Sequence, residues 1–385
     1  MRRGLARLLM LVLALPLAVS AAPFVPKSDT DIVQRLPYRM DAAERQRRAA
    51  LARDPAQLPL AVAAARTALE RARVHGDPRE LGTAQAALAP WWPRADAPAE
   101  AVLLRARVRQ ARHDFSGAQA DLRGLLTRAD LEPELRAQAL LDAAALHQLR
   151  AELPEARALC EQLQPLAAVP AAACLAELAS LSGDAATAAQ TLARLSPGRT
   201  VAPWLALMRA ELAERMGDDT AAPALFRAAL AGEDDVYTRA AWADWLLARH
   251  RAAEALALIE RSADAEADAL LLRHVIALRQ LNRTTPLTET MRERLAAADA
   301  REPGKHAREQ ARFALDVQDQ PREALRLAEV NWAMQREPAD AVLLLRAALA
   351  AGRAGDAPRQ ALARFVRERR WQDVRLTALD RSLAP

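Results

Sequence analysis

Apolar positions along this chain recur at helical spacing and are broken at near-regular intervals by short polar stretches. The breaks are alike: "HGDP" at 75–78, "RHDF" at 112–115, "SGDA" at 182–185, "MGDD" at 216–219 and "AGDA" at 354–357. Their aspartates are Asp77, Asp114, Asp184, Asp218 and Asp356. Asp114 to Asp184 spans 70 residues, Asp184 to Asp218 spans 34, and Asp218 to Asp356 spans 138. All three are close to multiples of one period. The phases without such an aspartate carry "AELP" at 151–154, "HRAA" at 250–253, "RTTP" at 283–286 and "DQPR" at 319–322. A period near 34 residues, built of two helices and a turn, predicts stacked helical hairpins.

A second marker runs in phase with the first. Two antiparallel helices cross closely only where both carry a small residue. Five successive units place alanines twelve apart across the turn: Ala106/Ala118, Ala144/Ala156, Ala176/Ala188, Ala210/Ala222 and Ala243/Ala255. Large apolar residues follow the second alanine at helical spacing, among them Leu122, Leu159, Leu192, Phe226 and Ile259. On these residues the chain resembles the tetratricopeptide-repeat (TPR) family, whose small-residue positions fall where the alanine pairs fall here. Pro133, Pro170 and Pro338 stand where that family often ends a unit. From "PKSDTDIVQRLP" onward the sequence also looks like exported repeat proteins of proteobacteria. The resemblance implies an all-α fold, a right-handed α-solenoid of about nine TPR-like hairpins over residues 54–368, with terminal capping helices. It is closest over 98–260. The unit near 268–302 lacks the small pair, and in the first unit Ala84 comes late relative to Asp77.

Outside the array, "DAAERQRRAALARDP" at 41–55 begins with a capping Asp and predicts a helix ending before Pro55. The expected organisation is a leader at 1–22, an extended segment and capping helix at 23–53, the array at 54–368, and a capping helix at 369–385. The last of these, "WQDVRLTALDRSL" at 371–383, follows an Arg-rich stretch that suits the polar outer face an array end needs. The leader has a basic start with Arg2, Arg3 and Arg7, a 12-residue apolar run from Leu8 to Val19, then Ser20-Ala21-Ala22. That is the layout of a secretory signal cleaved after Ala21 or Ala22. The run is too short to cross about 30 Å of hydrocarbon. A periplasmic or secreted protein without a stable membrane anchor is expected.

Composition sharpens this reading. Apolar residues are 52% of the chain but aromatics only 4%, so the core must be mostly Ala and Leu, which favours helices. Once the leader's 3 arginines are set aside, 51 basic groups face 49 acids and are interspersed with them. Nucleic-acid binding, which draws on clustered cations, is not expected. The two cysteines, Cys160 and Cys174, lack C-x-x-C spacing and lie near no histidine at ligand spacing. In an oxidising compartment they form either one disulfide or two buried thiols.

Candidate chemistry rests with the six histidines and the acidic pairs. His113-Asp114 looks like acid–base machinery in isolation, but it falls at the repeat's turn phase, as do His75 and His250. There is no H-E-x-x-H, G-x-S-x-G, P-loop or G-x-G-x-x-G, and Asp218-Asp219 and Asp234-Asp235 read as helix caps. No catalytic residue, metal or cofactor is expected. Trp91, Trp92, Trp242, Trp245 and Trp332 read as packing. Trp204 and Tyr237 stand eighteen residues before Ala222 and Ala255, a phase that in the TPR family lines the concave groove. Positions seven and ten later give Glu211 and Glu214 beside Trp204, and Asp244 beside Tyr237. The same count from Ala118 gives Glu100, Arg107 and Gln110. The resemblance thus implies a scaffold that holds a protein or peptide partner in that groove. The alternative is a cell-envelope enzyme or small-molecule binder whose site the groove conceals.

Overall fold

The computed structural model describes Ser28 and residues 40–383. The leader and most of the extended segment lie outside the described residues. Among the described residues the chain is all helix and turn, with no strand. Helix α1 (Ala42–Arg53) starts at Asp41, whose side chain accepts from the Glu44 amide at 2.7 Å. Nine hairpins follow. They pair α2 (Leu58–His75) with α3 (Arg79–Ala87), α4 (Ala99–Ala111) with α5 (Phe115–Leu126), and α6 (Pro133–Leu149) with α7 (Leu153–Leu163). Next come α8 (Ala168–Ser180) with α9 (Ala185–Arg194), α10 (Ala202–Met216) with α11 (Ala221–Gly232), and α12 (Val236–Ala248) with α13 (Ala252–Glu260). The last three join α14 (Asp268–Gln280) to α15 (Leu287–Arg301), α16 (Ala307–Asp316) to α17 (Pro321–Met334), and α18 (Pro338–Ala350) to α19 (Asp356–Glu368). A short α20 (Val374–Leu379) ends the array. The molecule is an all-α solenoid.

Every hairpin turns on one residue in the left-handed region: Gly76, His113, Ala151, Gly183, Gly217, His250, Asn282, Asp319 and Gly352. Six of the first helices close with the same bond, from the amide just after this residue back to a carbonyl five residues earlier. Asp114 N donates to Arg109 O at 2.8 Å, and Glu152, Asp184, Asp218, Arg251 and Arg283 repeat the pattern. This is the Schellman closure, which satisfies carbonyls that a helix end would otherwise leave bare. The turn aspartates then open the second helix. Asp114 accepts from the Gly117 amide at 3.0 Å, and Asp218 from the Ala221 amide at 2.8 Å. His113-Asp114 is therefore one left-handed residue and one cap.

All five alanine pairs are buried at the crossings. In the seventh unit Ala277 and Met291 occupy the same core, fourteen residues apart, because the turn after Asn282 is longer. A flexible thioether fills the space there. Cys160 of α7 and Cys174 of α8 are joined by a disulfide, with 5.9 Å between their Cα atoms. The C-terminal helix is shorter than 371–383. Asp373 caps it by accepting from the Arg375 amide at 3.0 Å, and it stops at Asp380. Trp371 is buried and not part of an exposed polar cap.

First helices pack on first helices of the next unit, from α2 on α4 through to α16 on α18, and no such series joins the second helices. First helices therefore form the concave wall. The curvature is tight enough that the array meets itself. Helix α2 touches α12, and α10 touches α20. In the first unit, His75 Nδ1 lies 3.0 Å from Asp264 and Arg73 donates to Glu233 at 2.6 Å. In the second, His113 Nδ1 donates to Lys305 O at 2.6 Å while Lys305 Nζ donates to His113 O at 2.7 Å. In the third, Arg336 N donates to Leu149 O at 2.7 Å. In the fourth, Ala185 N donates to Gln372 at 3.3 Å, and in the fifth Arg375 reaches Glu214 at 2.9 Å. The first four of these turns thus meet the loop that follows the unit five further on, or one next to it.

Two substitutions separate these elements. Ala243→Leu at a crossing overpacks two helices and lowers unfolding stability by about 1–3 kcal/mol in denaturant titration. His250→Gly has the opposite sign. Its side chain is exposed and makes no hydrogen bond or ion pair, while its φ is +56°. Glycine there relieves left-handed strain and raises stability by about 1 kcal/mol.

Candidate interaction groove

The concave wall is rich in charge, and most of that charge is neutralised within it. Arg107 Nε donates to Asp142 at 2.6 Å, linking α4 to α6. Asp244 on α12 accepts from Arg273 of α14 and Arg312 of α16, each at 2.6 Å. Burial alone would raise the Asp244 carboxyl, but the two guanidinium groups bring it down to about 2. Glu214 is buried against Arg375, and burial still pushes its carboxyl up. Arg308 donates to Asp340 at 2.6 and 2.8 Å and also reaches Glu337.

Tyr237 and Glu211 form a second kind of contact. The Tyr237 hydroxyl donates to Glu211 at 3.0 Å, from α12 to α10. The Tyr237 ring is 53% exposed. It stands on the inner wall, on the first turn of α12. Burial pushes the Glu211 carboxyl up to about 7, and the charges of Glu177 and Glu337 add to the effect. The charge of Glu211 in turn raises the phenol well above its usual range.

The structure distributes the groove residues expected from phase as follows. Arg107 and Gln110 line one cavity of about 820 Å3, with Arg66 and Leu69 of α2, Leu81 of α3 and Leu104 of α4. Glu211 and Tyr237 meet directly. Glu214 and Asp244 are engaged by arginines that phase counting missed. Glu100 is half-buried on the first turn of α4, without an ion pair. Trp204 is 37% exposed at the start of α10 and makes no hydrogen bond to the groove charges. Asp142, Arg273 and Arg308, but not Arg312, which lies 68 residues from Asp244, share one signal. Within the wall, acid and base lie 35, 29 and 32 residues apart in the pairs Arg107–Asp142, Arg273–Asp244 and Arg308–Asp340. That is about one repeat, so opposite charges near one period apart mark a cross-unit bridge.

His75, His113 and His147 are held by structural partners. His147 meets Glu152 at 2.7 Å, and burial lowers His113 and His274 below the usual histidine range. Among the described residues, no group of three or more His, Cys, Asp or Glu is placed to hold a metal ion, and no helix is long and apolar enough to cross a membrane.

By its own geometry the chain is a solenoid of helical hairpins with a charged inner wall. Among solved structures similar to it is the crystal structure of the APC/C hetero-tetramer Cut9-Hcn1, at 15% identity and a TM-score of 0.37. The match covers 76% of this chain and 63% of that chain, so the similarity spans less than two thirds of the latter's length. No protein-family model and no curated protein matches.

Glu211 gives the wall a pH dependence of definite sign. Its folded pKa lies above the ordinary 4.5. The stability it contributes is therefore present below about 4.5 and lost as pH rises through about 7. Glu211→Gln keeps an acceptor for Tyr237 and cannot ionise. At pH 8 it should melt about 2–4 °C above the parent chain, and at pH 4 the two should coincide in scanning calorimetry.

Proposed function

We propose that this chain is an exported interaction scaffold that binds an extended segment of a partner protein on its concave wall. The observation that carries the reading is the cavity between α2, α4 and α6. Leu69, Leu81 and Leu104 line it together with the ion-paired Arg73, Arg107 and Asp142 and with Arg66 and Gln110. Apolar pockets with a few placed polar groups suit side-chain capture, and a glutamine amide both donates to and accepts from an extended backbone. Arg66 is exposed and forms no ion pair, unlike Arg107 and Arg73 beside it. Export is supported by the leader's layout and by the Cys160–Cys174 disulfide, which suits an oxidising compartment.

The test is capture from a cell-envelope extract by tagged mature chain, compared with the double variant Arg66→Glu/Leu69→Asp. One partner should be enriched by the parent and reduced at least tenfold by the variant, with unchanged melting. Equal capture by both would move the binding site away from this cavity. Fractionation of the untagged full chain should find it outside the cytoplasm with no free thiol. A cytoplasmic, reduced chain would remove the exported part of the reading.

A further inference from the structure

Arginines that turn inward in this protein are matched with carboxylates or, as Arg136 and Arg209 are, with two backbone carbonyls. Arg105 bonds Asp121, Arg215 bonds Glu177, Arg312 bonds Asp244 and Arg375 bonds Asp373. Two half-buried arginines at the C-terminal end of the array break this pattern. Arg336, in the loop between α17 and α18, places its Cζ 5.9 Å from the Trp332 ring centre and 5.7 Å from that of Phe365. Arg369, just after α19, places its Cζ 3.9 Å from the same Phe365 ring. Phe365 is fixed in turn by Trp332 at 5.1 Å and Trp371 at 5.7 Å.

Neither guanidinium has a carboxylate within ion-pair distance among the described residues. Arg336 uses its Nε on the Trp332 carbonyl at 3.2 Å, and Arg369 makes no side-chain hydrogen bond. A guanidinium presents five N–H donors in a rigid fork, so most of these donors are unfilled. Around them Arg364, Arg367 and Arg370 are exposed and also lack ion pairs, with Glu368 the acid that acts on Arg369. Burial, and after it the charge of Arg336, pulls the Arg369 pKa down, and the opposing effect of Glu368 is smaller. Stacking on an aromatic face holds an arginine in place without neutralising it. Two such groups beside one ring, without carboxylate partners, suit an oxyanion that accepts from both forks.

We propose that Arg336 and Arg369, held against Phe365, form a binding site for a phosphate group. The site lies outside the α2–α4–α6 cavity and does not rest on the peptide-binding reading. Phosphate offers several strong acceptor oxygens and a negative charge, one on a diester headgroup and about two on a monoester. It can come from a soluble phosphate compound or from the headgroup of an anionic phospholipid, and the arms of the test separate the two.

In the first arm, inorganic pyrophosphate is titrated into the mature chain by calorimetry at fixed ionic strength. In the second, the chain is co-sedimented with phosphatidylglycerol vesicles and with phosphatidylcholine vesicles. Saturable binding of pyrophosphate, weakened at least tenfold by Arg336→Gln/Arg369→Gln, would support the site with soluble phosphate as its source. Binding to phosphatidylglycerol vesicles alone, with the same loss, would support it with a headgroup as its source. Thermal melting of the double variant checks that the fold survives. Arg369→Lys keeps the charge but removes the fork, and should weaken binding less than the double variant does. Failure of both probes to bind, or binding that the double variant leaves intact, would overturn the proposal.

Discussion

Everything in this molecule depends on how closely two helices approach within a hairpin. Alanine at both sides of five successive crossings lets backbones come near enough to pack without large side chains between them, and with few aromatics available the core has little else to use. That closeness sets the angle of each hairpin. The left-handed residue that follows, from Gly76 to Gly352, then reverses the chain within a turn of three to six residues. Repeating hairpin and reversal nine times produces a curved wall of first helices, and that wall carries the inner charges.

The repeat was legible because it is local. Asp114, Ala106 and Ala118 constrain a single hairpin, and the physics that selects them acts over about twelve residues. The turn geometry was half legible. Gly183 and Gly217 announce a left-handed position, whereas His113, Ala151 and His250 take the same conformation with no sign of it in their identity. The seventh unit escaped because Met291 replaces a small residue and the longer turn shifts the count. Of the groove residues, the count from the alanine pairs located Arg107 and Gln110 on one cavity and Glu211 next to Tyr237. It did not reveal that Asp244 and Glu214 are already neutralised, since that depends on which arginine one unit or several units away can reach them.

Charge has two roles here. On the wall it binds unit to unit, as in Arg107–Asp142 and Arg308–Asp340, and little remains to attract a ligand. Three arginines without an opposite stand beside apolar groups: Arg66 beside Leu69 in the cavity, and Arg336 with Arg369 against Phe365. Glu211 stands between these cases, since its partner is a neutral hydroxyl and its neighbours include other acids.

The meeting of turn with distant loop alters how such a chain must fold. An open solenoid has neighbours on two sides only, so order can start anywhere and spread along a line. Here Arg73 meets Glu233 across 160 residues and Arg375 meets Glu214 across 161. The first unit is finished only when the sixth is in place, and the fifth only when the last helix has arrived. Contacts of such long span slow folding, because loop closure must precede them. They also tie both ends of the array to its middle. Fraying at either terminus would therefore be felt at the centre, and the chain should lose its structure over a narrower range of denaturant than its neighbour-by-neighbour construction suggests.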